Sequence, residues 1–171
     1  MSTTWNVPLY AQPDLNTCWR AAWRMMLAWY LNSHISDSEW ERRCKSYLRG
    51  GYASSHPRLV GFQVDQAVKN IKPKLLSNQN NTLDKFLKHL AMGPVMFHLP
   101  GILFGHMVVA IGSSTVKRKS YLIEPIQPTS FKVADPCARG YPPGPCCAGT
   151  RIIPASKVES AIARGYIWYW K

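Results

Sequence analysis

At Pro94 the apolar pattern of the chain changes period, and this change limits the possible folds more than any other feature of the sequence. Before it, apolar residues recur at helical spacing: Trp19, Ala22, Trp23, Met26, Leu27 and Tyr30 in one stretch, and Leu83, Phe86, Leu87 and Leu90 in another. A helix that buries one face requires that spacing. After it come short apolar runs of strand length, Pro94 to Leu99, His106 to Ile111, Tyr121 to Ile126 and Phe131 to Ala134. Helices first and mostly antiparallel strands after make an α+β chain, with an N-terminal helical lobe, a C-terminal antiparallel β-sheet lobe and a cleft between them. At 171 residues the chain reads as one domain, 1–171, long enough for a real core.

Local signals place the elements. Residues 5–12 read as extended, with a turn at Pro13-Asp14. Asn16 or Thr17 is placed to cap a helix that begins near Cys18. Ser36 with Glu39 has the capping-box spacing, predicting a second helix over 37–48 that stops at Gly50-Gly51. Val60, Val64, Ala67, Val68 and Ile71 predict a third, and Thr82 caps a fourth. Residues 136–149 read as a Pro/Gly-rich loop carrying three cysteines. Ser156 with Glu159 repeats the capping box, Gly165 ends that helix, and Tyr166 to Trp170 closes the chain as a packed strand.

Chemistry-bearing residues stand in a telling order. Cys18 opens a helix, where the positive end of the dipole favours a thiolate. His106 follows Gly105 at the start of a strand and is the candidate imidazolium that would protonate a leaving group. A third group must hold that ring. Asp135 is the first choice and Glu124 the second, each followed by Pro at the end of a strand-like segment. The Cys18 backbone N–H and the Gln12 side-chain amide are the candidate donors to an oxyanion. The other histidines have no comparable setting: His34 and His56 read as loop residues, His89 as a helix-surface residue and His98 as a strand residue close to His106 in sequence.

Gln12, five intervening residues and then Cys18-Trp19 resembles the active-site entry of papain-like cysteine peptidases. The resemblance is to the compact bacterial branch, which includes staphopain-like enzymes, plant-pathogen effector proteases and the peptidase domains of bacteriocin exporters. Val7-Pro8 ahead of Gln12, Gly105-His106 leading to Ile111-Gly112, and Asp135-Pro136 with the later Pro142-Pro143-Gly144 match that branch in order along nearly the whole chain. Leu15-Asn16-Thr17 replaces the small-residue turn that precedes the nucleophile in papain. The resemblance implies a papain-like fold, Gln12 as the oxyanion residue, Cys18 as nucleophile, His106 as base and Asp135 as orienter, with no cofactor. It also implies a protein or peptide substrate, a toxin or effector role with delivery by a bacterial secretion system, and a cognate inhibitor or immunity protein. A peptidoglycan amidase, a glutamine deamidase or an acyl transferase would use the same machinery, and a catalytically degenerate binding domain would keep its outline.

Composition narrows the rest. Lys and Arg number 21 against 9 Asp and Glu, a net +12. The basic residues do not cluster outside Arg42-Arg43 and Lys117-Arg118-Lys119, so the charge suits encounter with an anionic partner and not a specific nucleic-acid site. The first residues lack a charged start and an apolar stretch, and no run reaches the ~18 apolar residues of a membrane span. The expectation is a soluble monomer, cytoplasmic in its producer unless secreted or translocated into a target cell. The five cysteines do not have zinc-site spacing, so no metal is expected. Reduced thiols are the expectation without a leader, with a disulfide from Cys137 to Cys146 or Cys147 as the alternative.

Overall fold

In a computed structural model the chain is described at residues 4–12, 17–44, 74–75, 82–100, 105–114, 128–138, 146–165 and 167–169. Helix α1 spans Cys18–Tyr30, α2 Asp37–Cys44, α3 Leu83–Met92 and α4 Ala155–Arg164. The strands are β1 Lys74–Leu75, β2 Val95–Leu99, β3 His106–Ser113, β4 Ser130–Asp135, β5 Gly149–Pro154 and β6 Ile167–Tyr169. Among the described residues they form one sheet in the order β1-β6-β2-β3-β4-β5, antiparallel at every pairing.

The sheet separates two apolar layers. On one face α1 packs Trp19, Trp23, Met26 and Leu27 against Met96, Met107, Val109 and Ile111. On the other, α3 and α4 pack Phe86, Leu90, Val158 and Ile162 against Phe97, Val108, Phe131 and Val133. Phe86 lies edge-on to both Phe97 and Phe131, with ring centroids 5.6 and 5.4 Å apart. The fourth predicted helix therefore belongs with the sheet, on the face away from α1.

Helix α1 is more deeply placed than its predicted single stripe. Every residue from Cys18 to Ala28 except Arg20 is buried, while Tyr30 is exposed. Its buried charged member, Arg24, is accommodated by partners outside the helix: Nε donates to the Ile35 carbonyl at 2.8 Å, the guanidinium pairs with Asp37 of α2, and it lies 3.9 Å over the Tyr10 ring. Buried charge is tolerated only with such compensation.

The N-terminal residues 4–12 run extended across both halves. The Trp5 backbone N–H donates to the Ile111 carbonyl at 2.7 Å and its indole N–H to the Leu90 carbonyl at 2.6 Å. The Tyr10 hydroxyl accepts from the Ile35 N–H at 2.8 Å, and the Gln12 N–H donates to the Pro136 carbonyl at 3.2 Å.

Several predicted caps are in place and two are not. Ser36 Oγ accepts from the Glu39 N–H, Thr82 Oγ1 from the Lys85 N–H, and Gly165 takes the left-handed conformation (φ 75°) after α4. Thr17 occupies the position before α1 but makes no side-chain cap bond. Helix α4 starts one residue before Ser156, because Pro154 already has the extended dihedrals of a cap and the Ala155 N–H donates to the Thr129 carbonyl. Strand β5, in a stretch assigned to no strand from sequence, pairs along the full length of β4. The predicted third helix, the Tyr121–Ile126 strand and the Pro13-Asp14 turn lie outside the described residues.

Candidate active site

Cys18 is the first residue of α1, and the helix body fixes where it points. With most of α1 buried, the N-terminal tip abuts the start of β3. There the Met107 backbone N–H donates to Cys18 Sγ at 3.4 Å. A backbone donor and the positive end of the helix dipole both favour negative charge on that sulfur.

His106, the first residue of β3, sits one position before that donor. The antiparallel pairing of β3 with β4 brings the start of one strand beside the end of the other, and with it His106 beside Asp135. His106 Nε2 and Asp135 Oδ1 are 2.6 Å apart. Cys18 acts on the ring as well, helping to raise its pKa, and since Nε2 faces the carboxylate, Nδ1 is the nitrogen left for the sulfur. The Asp135 side chain is fully buried and that of His106 nearly so.

Burial acts on both groups and is overcome in both. For His106 it pushes toward the neutral ring, but the hydrogen bonds to Asp135 and Cys18, with their charges, raise the pKa from 6.5 to about 9. For Asp135 it favours the neutral acid, but the His106 hydrogen bond and charge, the Cys137 N–H and Arg151 hold the carboxyl below the usual range. At neutral pH the pair is imidazolium and carboxylate.

Gln12 is buried, and its backbone bond to Pro136 ties it to the residue after Asp135. Gly105 has a packing reason. A Cβ there would lie 1.5 Å from His98 Nε2, so the His98 ring fills the space a side chain would need. His98 is half-buried, and its pKa is lowered by burial, Arg164 and His106.

A thiol at a helix tip, an imidazolium beside it and a carboxylate behind the ring can do nucleophilic acyl chemistry. The profile described as papain-like cysteine protease AvrRpt2 matches residues 1–136, which include Cys18, His106 and Asp135. The chain belongs to this family of papain-like cysteine proteases. Among solved structures it is similar to a double glycine motif protease from an AMS/PCAT transporter, crystallised in complex with the leader peptide. Identity is 17%, the match covers 99% of this chain and 94% of that one, and the TM-score is 0.58, a likeness of fold alone. No curated protein matches the sequence significantly. The α+β fold is thus papain-like, as the sequence resemblance implied.

Three partners of this papain-like protease's site were not legible beforehand. The Cys137 N–H donates to Asp135 Oδ1 at 2.7 Å, Arg151 Nε forms an ion pair with Asp135 Oδ2, and Met107 supplies its N–H to Cys18. Finding Arg151 from sequence required β5, whose Thr150, Ile152 and Ile153 are the β-branched signal that was available. The expectation of reduced thiols is overturned for one pair: Cys137 and Cys146 form a disulfide, while exposed Cys147 stands outside it. The pairing follows from β4 and β5, which bring both ends of the loop together. His89 is not a plain surface residue, since its ring stacks on Tyr169 with centroids 3.4 Å apart. Glu124, the second candidate orienter, lies outside the described residues, as do His56 and Lys117-Arg118-Lys119.

Proposed function

We propose that residues 1–171 form one papain-like peptidase domain that cleaves amide bonds through a Cys18 thioester. The observation that carries this reading is the Cys18–His106–Asp135 alignment, with His106 protonated to about pH 9. The Cys18 sulfur anion attacks the scissile carbonyl carbon, and the C=O π pair moves to oxygen. The Cys18 backbone N–H and the Gln12 amide stabilise that oxyanion. As the intermediate collapses, the C–N bond breaks and the His106 imidazolium gives its proton to the departing amine. The neutral ring then takes a proton from water, which attacks the thioester. Expulsion of the sulfur regenerates the ion pair. Asp135 holds the ring throughout.

A peptide substrate fits the structural relative, which was crystallised with a leader peptide. A toxin or effector role, with a cognate inhibitor or immunity protein, draws its support from the resemblance to effector proteases. No described helix is long and apolar enough to cross a membrane. Replacing Cys18 with Ala is expected to cut cleavage of unfolded protein on the order of a millionfold, as removal of a serine hydrolase's nucleophile does. Cleavage that survives the change refutes the assignment.

A second reading has one observation in its favour. The net charge of +12 suits an anionic polymer such as peptidoglycan. New amino termini released from purified cell wall, with none from unfolded protein, would select an amidase. A degenerate binding domain is tested by alkylation. Exposed Cys147 would react before buried Cys18 on access alone, so faster modification of Cys18 by iodoacetamide marks an activated thiol.

A further inference from the structure

We propose that Arg151 is a positioning residue for this site: its guanidinium, paired with Oδ2 of Asp135, fixes the carboxylate that orients His106 and completes an alternating run of charges from His106 to strand β5. The inference rests on the thiol-peptidase reading above and adds a fourth member to it. Arg151 also lies beyond residue 136, where the family profile ends.

The two oxygens of Asp135 have divided duties. Oδ1 accepts from His106 Nε2 at 2.6 Å and from the Cys137 N–H at 2.7 Å. Oδ2 is held by Arg151 Nε. Strand register explains the reach. Gly149 stands opposite Asp135 and Arg151 opposite Val133, so Arg151 lies two residues along β5 and extends its side chain back to the carboxylate. Glycine opposite Asp135 brings no side chain to that position.

Without Arg151, only the contacts at Oδ1, from His106 and the Cys137 N–H, would resist rotation about the Cβ–Cγ bond. The cation in ion-pair contact with the second oxygen opposes that rotation at the other end of the carboxylate. The guanidinium also compensates charge. The charged groups facing Asp135 are His106 from β3 and Arg151 from β5; those facing His106 are Asp135, Cys18 from α1 and the lowered His98. Imidazolium, carboxylate and guanidinium alternate in sign, so the buried carboxylate has an opposite charge on either side. Asp135 is wholly buried while Arg151 is 40% exposed. Solvent therefore weakens the direct repulsion between Arg151 and His106, and the arginine's main action is on the carboxylate it touches.

The test measures alkylation of Cys18 by iodoacetamide across pH in the full chain, read by peptide mass spectrometry, in wild type, Arg151→Gln and Arg151→Lys. Losing the cation disfavours negative charge along the site. In Arg151→Gln the acid limb is therefore expected to move up, by at most about 1 pH unit, because the arginine touches the carboxylate and reaches the sulfur only through it. Arg151→Lys keeps the charge and loses the planar group; it should keep the wild-type acid limb. A profile for Arg151→Gln that superimposes on wild type overturns the proposal. So does an acid limb in Arg151→Lys shifted as far as in Arg151→Gln, since strand packing and not charge would then be at issue. If Arg151→Gln does not fold, the lysine variant decides alone: a retained acid limb supports the role, and a shifted one overturns it. Wild-type Cys18 reacting no faster than Cys147 would remove the thiol-peptidase reading itself, whereas a fast Cys18 indifferent to Arg151 would remove only the arginine's role.

Discussion

Exchanging Asp135 for Asn tests the electrostatics of the site more directly than removing the nucleophile. The amide keeps the size of the carboxyl and deletes its charge. Its oxygen can replace Oδ1, accepting from His106 Nε2 and the Cys137 N–H, but its NH2 group then faces the Arg151 guanidinium, donor against donor. His106 stands at about 9 because the Asp135 and Cys18 interactions outweigh burial. Losing the adjacent carboxylate is expected to lower it by about 2 units, to about 7. At pH 8 the imidazolium population then falls from ~90% to ~10%. Titration of the His106 ring by NMR reads the shift, and peptide turnover across pH reads its consequence: the basic limb should move down by the same amount. A His106 that still titrates near 9 in Asp135→Asn, with turnover at pH 8 unchanged, would show that the carboxylate is not what charges the ring. The same groups set a stability window. The raised histidine contributes about 3 kcal/mol below pH 6.5, lost as pH rises through about 9. The lowered Asp135 contributes above its unfolded value near 3.8 and loses that contribution as pH falls through its folded value. Thermal unfolding should show the pair's full contribution between about pH 4 and 6.5 and a decline on both sides.

Two further outcomes follow from particular contacts. Replacing Cys137 and Cys146 with Ser opens a loop with a sequence separation of 9; loop-closure entropy sets the cost at about 2.6 kcal/mol, measurable by denaturant unfolding, and turnover should fall too because the Cys137 N–H holds Asp135. Gly105→Ala forces the His98 ring out of its place beside His106. It should lower kcat more than it lowers the melting temperature, and an unchanged kcat would mean the ring can move aside without disturbing its neighbour.

The parts of this protein that could be read from sequence are those set by local chemistry. Cys18 at a helix start and His106 after glycine are signals of residue type and spacing. Helix α3 and its Thr82 cap need no distant partner to be recognised. What was missed depends on register. Strand β5 follows a loop rich in proline, glycine and cysteine and shows only a short β-branched signal, so Arg151 had no visible neighbour. The space beside Gly105 is taken by the His98 ring from the adjacent strand. The depth of α1 was underestimated because an amphipathic stripe shows one buried face, whereas the sheet, the N-terminal segment and the Arg24 cluster enclose this helix almost completely.

The bond from the Gln12 backbone N–H to the Pro136 carbonyl has a consequence for tuning the enzyme. It fastens the thread bearing the proposed oxyanion donor to the strand end bearing the acid, so neither can drift without dragging the other. A substrate or partner that tugs on residues 4–12 would displace both ends of the reaction coordinate together. Gln12 and Asp135 are geared to one another through that peptide contact.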